Sequence, residues 1–243
     1  MRWGSSDTVS AAFRTRIASV HRETPHAALL RVDLAHHRLT FHPGQSVSIG
    51  LSDQPVRKRY SIACSPRQAE HTGLLELLVK TDVRGRADVH LADVAKGAEV
   101  EIDGPFGRLL LPDPLADPHL LFVSGGLGIA PLRSIMWTAL ELAPAPDIGV
   151  VYSARSAKEF AFAAELRRLH GQGQIQLRLA ITREVPDNWE SHRGRINQAM
   201  LAAAVGGHSP RCFVCGPDSF VGDVRSMLRD CGIPNHRIWQ DEH

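Results

Sequence analysis

The stretch VSGGLGIAPL, residues 123–132, sets Gly125, Gly126 and Gly128 within four positions between the apolar run HLLFV and a proline. Glycines at such a joint bring backbone N–H groups close to a ligand with no Cβ in the way, and a helix N-terminus behind them carries partial positive charge. The chemistry this suits is phosphate binding. A dinucleotide fingerprint has glycine at its first, third and sixth positions, whereas counting from Gly126 this chain has Gly126, Gly128 and then Pro131. Pro131 suits the first position of a helix, where its missing N–H would have been unpaired anyway. A plain turn before a proline-started helix is the other reading of the same residues.

Two further groups could carry chemistry. Arg57, Lys58 and Arg59 run directly into Tyr60 and Ser61, which places three cations beside a flat ring and a hydroxyl. That set suits a ligand with both a phosphate and a ring, the alternative being an edge strand decorated with solvated arginines. Cys212 and Cys215 form a C-x-x-C in RCFVCGP, but no second pair accompanies them, so neither a zinc site nor an iron–sulfur cluster is expected. With Cys64 and Cys231 they make four scattered cysteines, too few for a disulfide framework and expected to be reduced thiols. None of the thirteen histidines stands four residues from another, the helical spacing that metal ions favour. No metal is expected.

These residues need elements to position them. The chain has 243 residues and 43% hydrophobic content, enough for two compact domains. Its 28 Lys and Arg against 26 acids give a net charge of +2, which makes no case for nucleic acid or an anionic membrane as partner. No run approaches the roughly 18 apolar residues of a membrane span, and the first residues lack the apolar centre of a signal peptide, so the expected location is the cytoplasm. The pattern breaks at LLLPDPLADPHL, residues 109–120. Before it lie short β-like runs separated by turn signals such as HPGQ and SPRQAEHTG, which suggest an antiparallel barrel. Only RADVHLADVA looks helical there, with Val89, Leu91 and Val94 inward. After the break, strand and helix alternate four times before a last strand. The expected fold is therefore two domains: a β-barrel over 1–113, then an α/β domain over 114–243 whose five-stranded parallel sheet binds ligands at the C-terminal edges of its strands.

Seven stretches, in order, carry a resemblance: FHPGQ at 41–45, RKRYSIACSP at 57–66, GRADVHL at 85–91, DGPFG at 103–107, GGLGIAPL at 125–132, YSARS at 152–156 and CGP at 215–217. Together they resemble the ferredoxin–NADP reductase superfamily. That resemblance implies a flavin on the barrel and a nicotinamide nucleotide on the parallel sheet, with a hydride passing between two stacked rings. It implies that Tyr60 packs on the flavin and that Ser61 hydrogen-bonds near its reactive nitrogen. The family's phosphate-binding arginine falls where this chain has Lys58, which keeps the charge without the bidentate fork, so Arg57 or Arg59 is expected to share the role. The second flavin element maps to Arg86, Ala87 and Asp88, where the family commonly has a serine in place of Asp88; Arg84 or Arg86 would have to offset that carboxylate beside a pyrophosphate. FAD is the expected flavin, with FMN the alternative.

By the same resemblance, the nucleotide lies on Gly125, Gly126, Gly128 and Ile129, and Cys215, with Gly216 and Pro217, stands over the nicotinamide. With Trp239 in the last strand, Asp241 takes the place of the family's C-terminal acid and His243 that of its covering ring. Ser61, Cys215 and Asp241 are the residues expected nearest the chemistry. Ser153 and Arg155 end the second strand of the parallel half, and no acid follows until Glu159, which favours NADPH over NADH. The expected function is a flavin-dependent NAD(P)H reductase passing electrons to a separate one-electron acceptor, such as a ferredoxin, an iron–sulfur oxygenase component or a haem protein. A free-flavin reductase and a non-catalytic binding module are the alternatives.

Overall fold

Alternation of apolar and polar residues makes the strands of the first half, with Leu75, Leu77 and Val79 on one strand and Val100 and Ile102 on another all turned inward. The computed structural model describes residues 12–34, 37–81, 91 and 94–241. They form two compact units, one running to Leu115 and joined by Arg133–Thr138, the other made of Ala116–Leu132 and the chain from Ala139 onward.

The first unit holds β1 (Phe13–Thr24), β2 (Ala27–Asp33), β3 (Ser46–Leu51), β4 (Lys58–Ser61), β5 (Leu74–Lys80) and β6 (Glu99–Phe106), ordered β4-β3-β6-β1-β2-β5 and antiparallel throughout. Its two outer strands meet through a bridge between Ile62 and Leu77 and an N–H of Ala63 donating to the Glu76 carbonyl at 2.8 Å. The sheet thus closes into a barrel around Ile17, Leu30, Val47, Ile49, Ile62, Leu77 and Ile102. SPRQAEHTG is more than a turn. It contains α1 (Pro66–Thr72), started by a Ser65–Gln68 capping box and ended by Gly73 at φ +68°. The helix escapes periodicity because Ala69 is its single buried residue. Of RADVHLADVA, only Leu91 and Val94 onward are among the described residues; Leu91 is helical and buried.

The second unit holds β7 (His119–Gly125), α2 (Ile129–Leu140), β8 (Asp147–Ser156), α3 (Ala163–Gly171), β9 (Gln176–Glu184), β10 (His192–Arg193), α4 (Gln198–Val205), β11 (Arg211–Cys215), α5 (Asp218–Asp230) and β12 (Ile238–Gln240), apart from residues 133–138 of α2. Its sheet is parallel in the order β10-β9-β8-β7-β11-β12, six strands rather than five. The extra strand, β10, is two residues long, too short to show a period. Leu121, Val123, Cys212 and Val214 pack with Leu201 and Val205 of α4 and Val224 and Leu228 of α5, while Phe122 and Phe213 stack on each other at 5.3 Å. Apolar residues on both faces explain the unbroken runs in these strands.

At the foot of this sheet, Asp117 accepts hydrogen bonds from Arg211 at 2.5 Å and from Arg237. Burial alone would raise its pKa, but the two guanidinium groups outweigh that and hold it below the usual carboxylate value. Among the described residues no helix is long and apolar enough to cross a membrane.

Candidate functional site

The strand order of the second unit decides where a ligand can sit. From β7 the chain proceeds to β8, β9 and β10 on one side, then crosses back to β11 on the other. The C-terminal ends of β7 and β11 therefore flank a topological switch point, where open α/β sheets bind ligands. Two turns leave from there. After β7, Gly126–Gly128 forms a single 3₁₀ turn that winds directly into α2, so Pro131 is the third residue of the α-helix and not the first. Proline is tolerated there because first-turn N–H groups have no partner within the helix. After β11 come Gly216, Pro217 and the start of α5.

The two turns touch. A Cβ on Gly128 would stand 2.3 Å from the Cys215 carbonyl oxygen and 2.7 Å from the Gly216 nitrogen. One on Gly216 would meet the Phe220 ring at 2.7 Å, and one on Gly125 would meet it at 3.0 Å. Gly126 differs: it has open space but φ +57°. Gly128 is thus needed first for backbone to approach backbone, and Gly125 and Gly216 to leave room for the Phe220 ring, before any ligand is considered. Ile129, the first residue of α2, is buried.

Cys215 lines a pocket of about 290 Å³ with Gly216, Asp218, Val221, Gly222, Arg225, Gln240 and Asp241. Arg225 donates to the Gln240 side chain at 3.0 Å. Burial pushes the Cys215 thiol up to about 12, with Asp241 acting in the same direction, so it is a neutral thiol and not a nucleophile. Cys212 has the same shift from burial, but it is sealed beneath the sheet, where its thiol donates to the Pro210 carbonyl at 3.6 Å. Trp239 lies in β12, opposite Phe213 of β11, and Asp241 follows that strand directly. His243 lies outside the described residues.

Ser153 and Arg155 both belong to β8, Ser153 buried and Arg155 exposed. The stretch after β8 is divided. Residues 157–159 form a 3₁₀ turn, and α3 begins only at Ala163, after the buried pair Phe160 and Phe162 has turned the chain inward.

In the first unit, β4 pairs with β3 so that Tyr60 opposes Val47 and Ser61 opposes Ser46. Tyr60 packs against the barrel core, yet its hydroxyl is buried with no partner among the described residues. Burial raises its pKa. A buried orphan hydroxyl beside an exposed cation fits a polar ring system with a phosphate, and thus the flavin expected there. Arg59 lies over the Phe106 ring at 4.6 Å. Arg57 is engaged elsewhere: its guanidinium donates to the carbonyls of Leu51, at 3.1 Å, and Gln54, and pairs with Glu101 at 3.4 Å. It closes the β3–β4 connection. Arg84, Arg86, Ala87 and Asp88 lie outside the described residues.

Several residues of these sites were missed by sequence reading. Arg133, only 7% exposed, donates to the Ala63 carbonyl and to Glu76, both at 2.8 Å, and Ser134 donates to the Cys64 carbonyl at 2.7 Å. Together they hold the residues that follow Ser61. Phe220, Arg225, Gln240 and the hydroxyl of Tyr152 were missed too. Of these, Tyr152 alone lies in one of the seven stretches that carry the family resemblance.

Comparison with known proteins matches each half of the chain to a domain family. Residues 15–110 match the family of oxidoreductase FAD-binding domains and residues 122–226 that of oxidoreductase NAD-binding domains. A ferredoxin–NADP reductase B of Sorangium cellulosum is 28% identical over 237 residues, 93% of this chain and 95% of that protein. An NADPH oxidoreductase of Mycobacterium tuberculosis is 32% identical over 223 residues, 82% of this chain but 58% of that longer protein. The solved structure of a ferredoxin–NADP⁺ reductase from Neisseria gonorrhoeae, with FAD and NADP bound, superposes with a TM-score of 0.78 at 22% identity, covering 94% of this chain and 97% of that one; it shows the same fold.

Proposed function

The chain belongs to the ferredoxin–NADP reductase superfamily of FAD- and NAD(P)-binding oxidoreductases, and on that footing we propose that it draws hydride from NADPH in preference to NADH and delivers electrons singly to a separate redox protein. What carries the reading is the glycine turn at the switch point of the parallel sheet, set against Cys215, in the unit that matches an NAD-binding domain. When bound, FAD supplies the exchange of a two-electron hydride for single electrons. The chain's own residues bind and orient. Tyr60 offers a flat face and a hydroxyl, Ser61 a second hydroxyl, and Lys58 and Arg59 positive charge for a phosphate. The turn of Gly125, Gly126 and Gly128 and the start of α2 present backbone N–H groups to the nucleotide's pyrophosphate. Cys215, a neutral thiol, gives a compact polarisable surface at the pocket wall, with Asp241 beside it. The acceptor is read as a ferredoxin, an oxygenase component or a haem protein; the name of the Sorangium relative favours the first.

The purified protein is expected to be yellow, to keep its flavin through dialysis, to release FAD on heating and to bleach on anaerobic titration with NADPH. A colourless preparation that binds no FAD would sink the proposal, and a flavin that dialyses away would mark it as a substrate.

Arg155 carries the nucleotide preference. It is exposed at the end of β8, where a guanidinium can form a charge-assisted bond to the extra phosphate of NADPH, worth about 1.5–3 kcal/mol. Arg155→Ala should therefore lower kcat/KM for NADPH by roughly ten- to a hundredfold while changing that for NADH much less. A parent that prefers NADH, or a variant that loses both equally, removes Arg155 from that role.

A further inference from the structure

We infer that the buried hydroxyl of Tyr152 is a positioning group for nucleotide binding, holding the Gly126–Gly128 turn and the segment 153–161, the end of β8 and the turn after it, in a single arrangement. The inference rests on the nucleotide reading of that turn. Tyr152 lies in the middle of the parallel sheet, opposite Ser124 of β7 and Leu179 of β9, and is 0% exposed. Phenylalanine would fill the same space, whereas a phenol in a dry interior needs hydrogen-bond partners. Its oxygen stands 3.0 Å from the Gly126 carbonyl oxygen and 3.1 Å from the Ala161 nitrogen. The N–H of Ala161 can only donate, so the phenolic proton goes to Gly126.

Each bond acts on one side of the candidate site. In a trans peptide the C=O and the following N–H lie in one plane and point in opposite directions within it. Drawing the Gly126 carbonyl onto Tyr152 therefore turns the Leu127 N–H away from the buried hydroxyl. Gly126, at φ +57°, has no side chain to set that plane, and glycine takes either hand with little cost. The hydroxyl supplies the constraint that its own backbone lacks.

On the other side, Ala161 precedes Phe162, whose φ of +58° is costly for a residue with a Cβ. The backbone of Tyr152 leads into the last residues of β8, Ser153 and Arg155 among them, and its hydroxyl ties down the turn after that strand at Ala161. Phe160 packs edge-on against the Tyr152 ring at 4.9 Å and stacks on Trp189 at 5.9 Å, which backs the closure from outside.

The test is Tyr152→Phe, compared with the parent by calorimetric titration with NADP⁺ and by steady-state reduction of ferricyanide with NADPH. Expected are a Kd and KM raised about tenfold, a kcat reduced by no more than about twofold and flavin content equal to the parent's. A Kd and KM within about twofold of the parent's, even with a lowered Tm, would reduce the hydroxyl to a structural role and overturn the inference. Should the variant not accumulate, amide exchange in the parent decides: saturating NADP⁺ is expected to protect residues 124–130 and 153–162 together, and protection of the first segment alone overturns it. A parent that binds no NADP⁺ brings down the reading of the site along with the inference, and that result is seen before any variant is made.

Discussion

Gly128→Ala is expected to slow reduction of the flavin by NADPH about a hundredfold or more while leaving the flavin bound. The new Cβ would stand 2.3 Å from the Cys215 carbonyl oxygen and 2.4 Å from its carbon. Both are backbone atoms, so no side-chain rotation relieves the clash. The Gly126–Gly128 turn and the Cys215–Pro217 segment must move apart, and these are the two lips of the crevice at the switch point. Displacements near 1 Å in a reacting geometry cost on the order of a hundredfold in rate, and overpacking costs about 1–3 kcal/mol of stability. Gly126→Ala is the control. Its Cβ meets nothing within 4 Å, and the cost is that of placing alanine at φ +57°, roughly 1–2 kcal/mol. Stopped-flow reduction and thermal melts of both variants separate the effects. A Gly128→Ala protein that reduces at the parent's rate would show that the contact between the turns has no bearing on the nucleotide.

Cys215→Ala is the second large effect: flavin reduction slowed about a hundredfold with the flavin spectrum nearly unchanged. Its thiol lines the pocket at the end of β11, and its pKa, raised by burial to about 12, keeps it neutral at any ordinary pH. The sign follows directly. A thiol with a raised pKa loses its proton only above that value, so Cys215 contributes no step to the rate between pH 6 and pH 10. The loss in Cys215→Ala should then be the same across that range. A step in the parent near pH 9 that disappears in the variant would mean a thiolate at the site and would contradict the neutral role. Cys212→Ala, by contrast, should lower the melting temperature and leave the rate alone, since that side chain is sealed beneath the sheet.

The sequence by itself was enough for the plan of the molecule. Period-two runs before the prolines at 112–118 and alternating strands and helices after them implied a barrel followed by a parallel sheet, because a periodicity is a local property that survives tertiary context. The ordered motifs were enough for the family, and the residues matched as FAD- and NAD-binding domains fall on either side of the same break. The helix hidden in SPRQAEHTG and the two-residue β10 were not legible. The first buries only one residue and depends on its caps, and the second is shorter than any period.

At the site the division is sharper. Sequence placed Lys58 at the phosphate-binding position, with Arg57 and Arg59 on either side as candidates to share its role. Only the folded chain sent Arg57 to the carbonyls of Leu51 and Gln54 and to Glu101, since that depends on how the β3–β4 connection folds back. Sequence marked Gly128 as a ligand-facing glycine, and the structure made it first a contact with Cys215, 87 residues later. Tyr152 was one letter of the YSARS stretch, and its hydroxyl gained partners only when Gly126 and Ala161 were brought to either side of it. Residue types and their spacing along the chain determine which chemistry is available. Which groups are spent on the protein itself, and which are left to face a ligand, depends on contacts between residues far apart in sequence, and those exist only in the folded state.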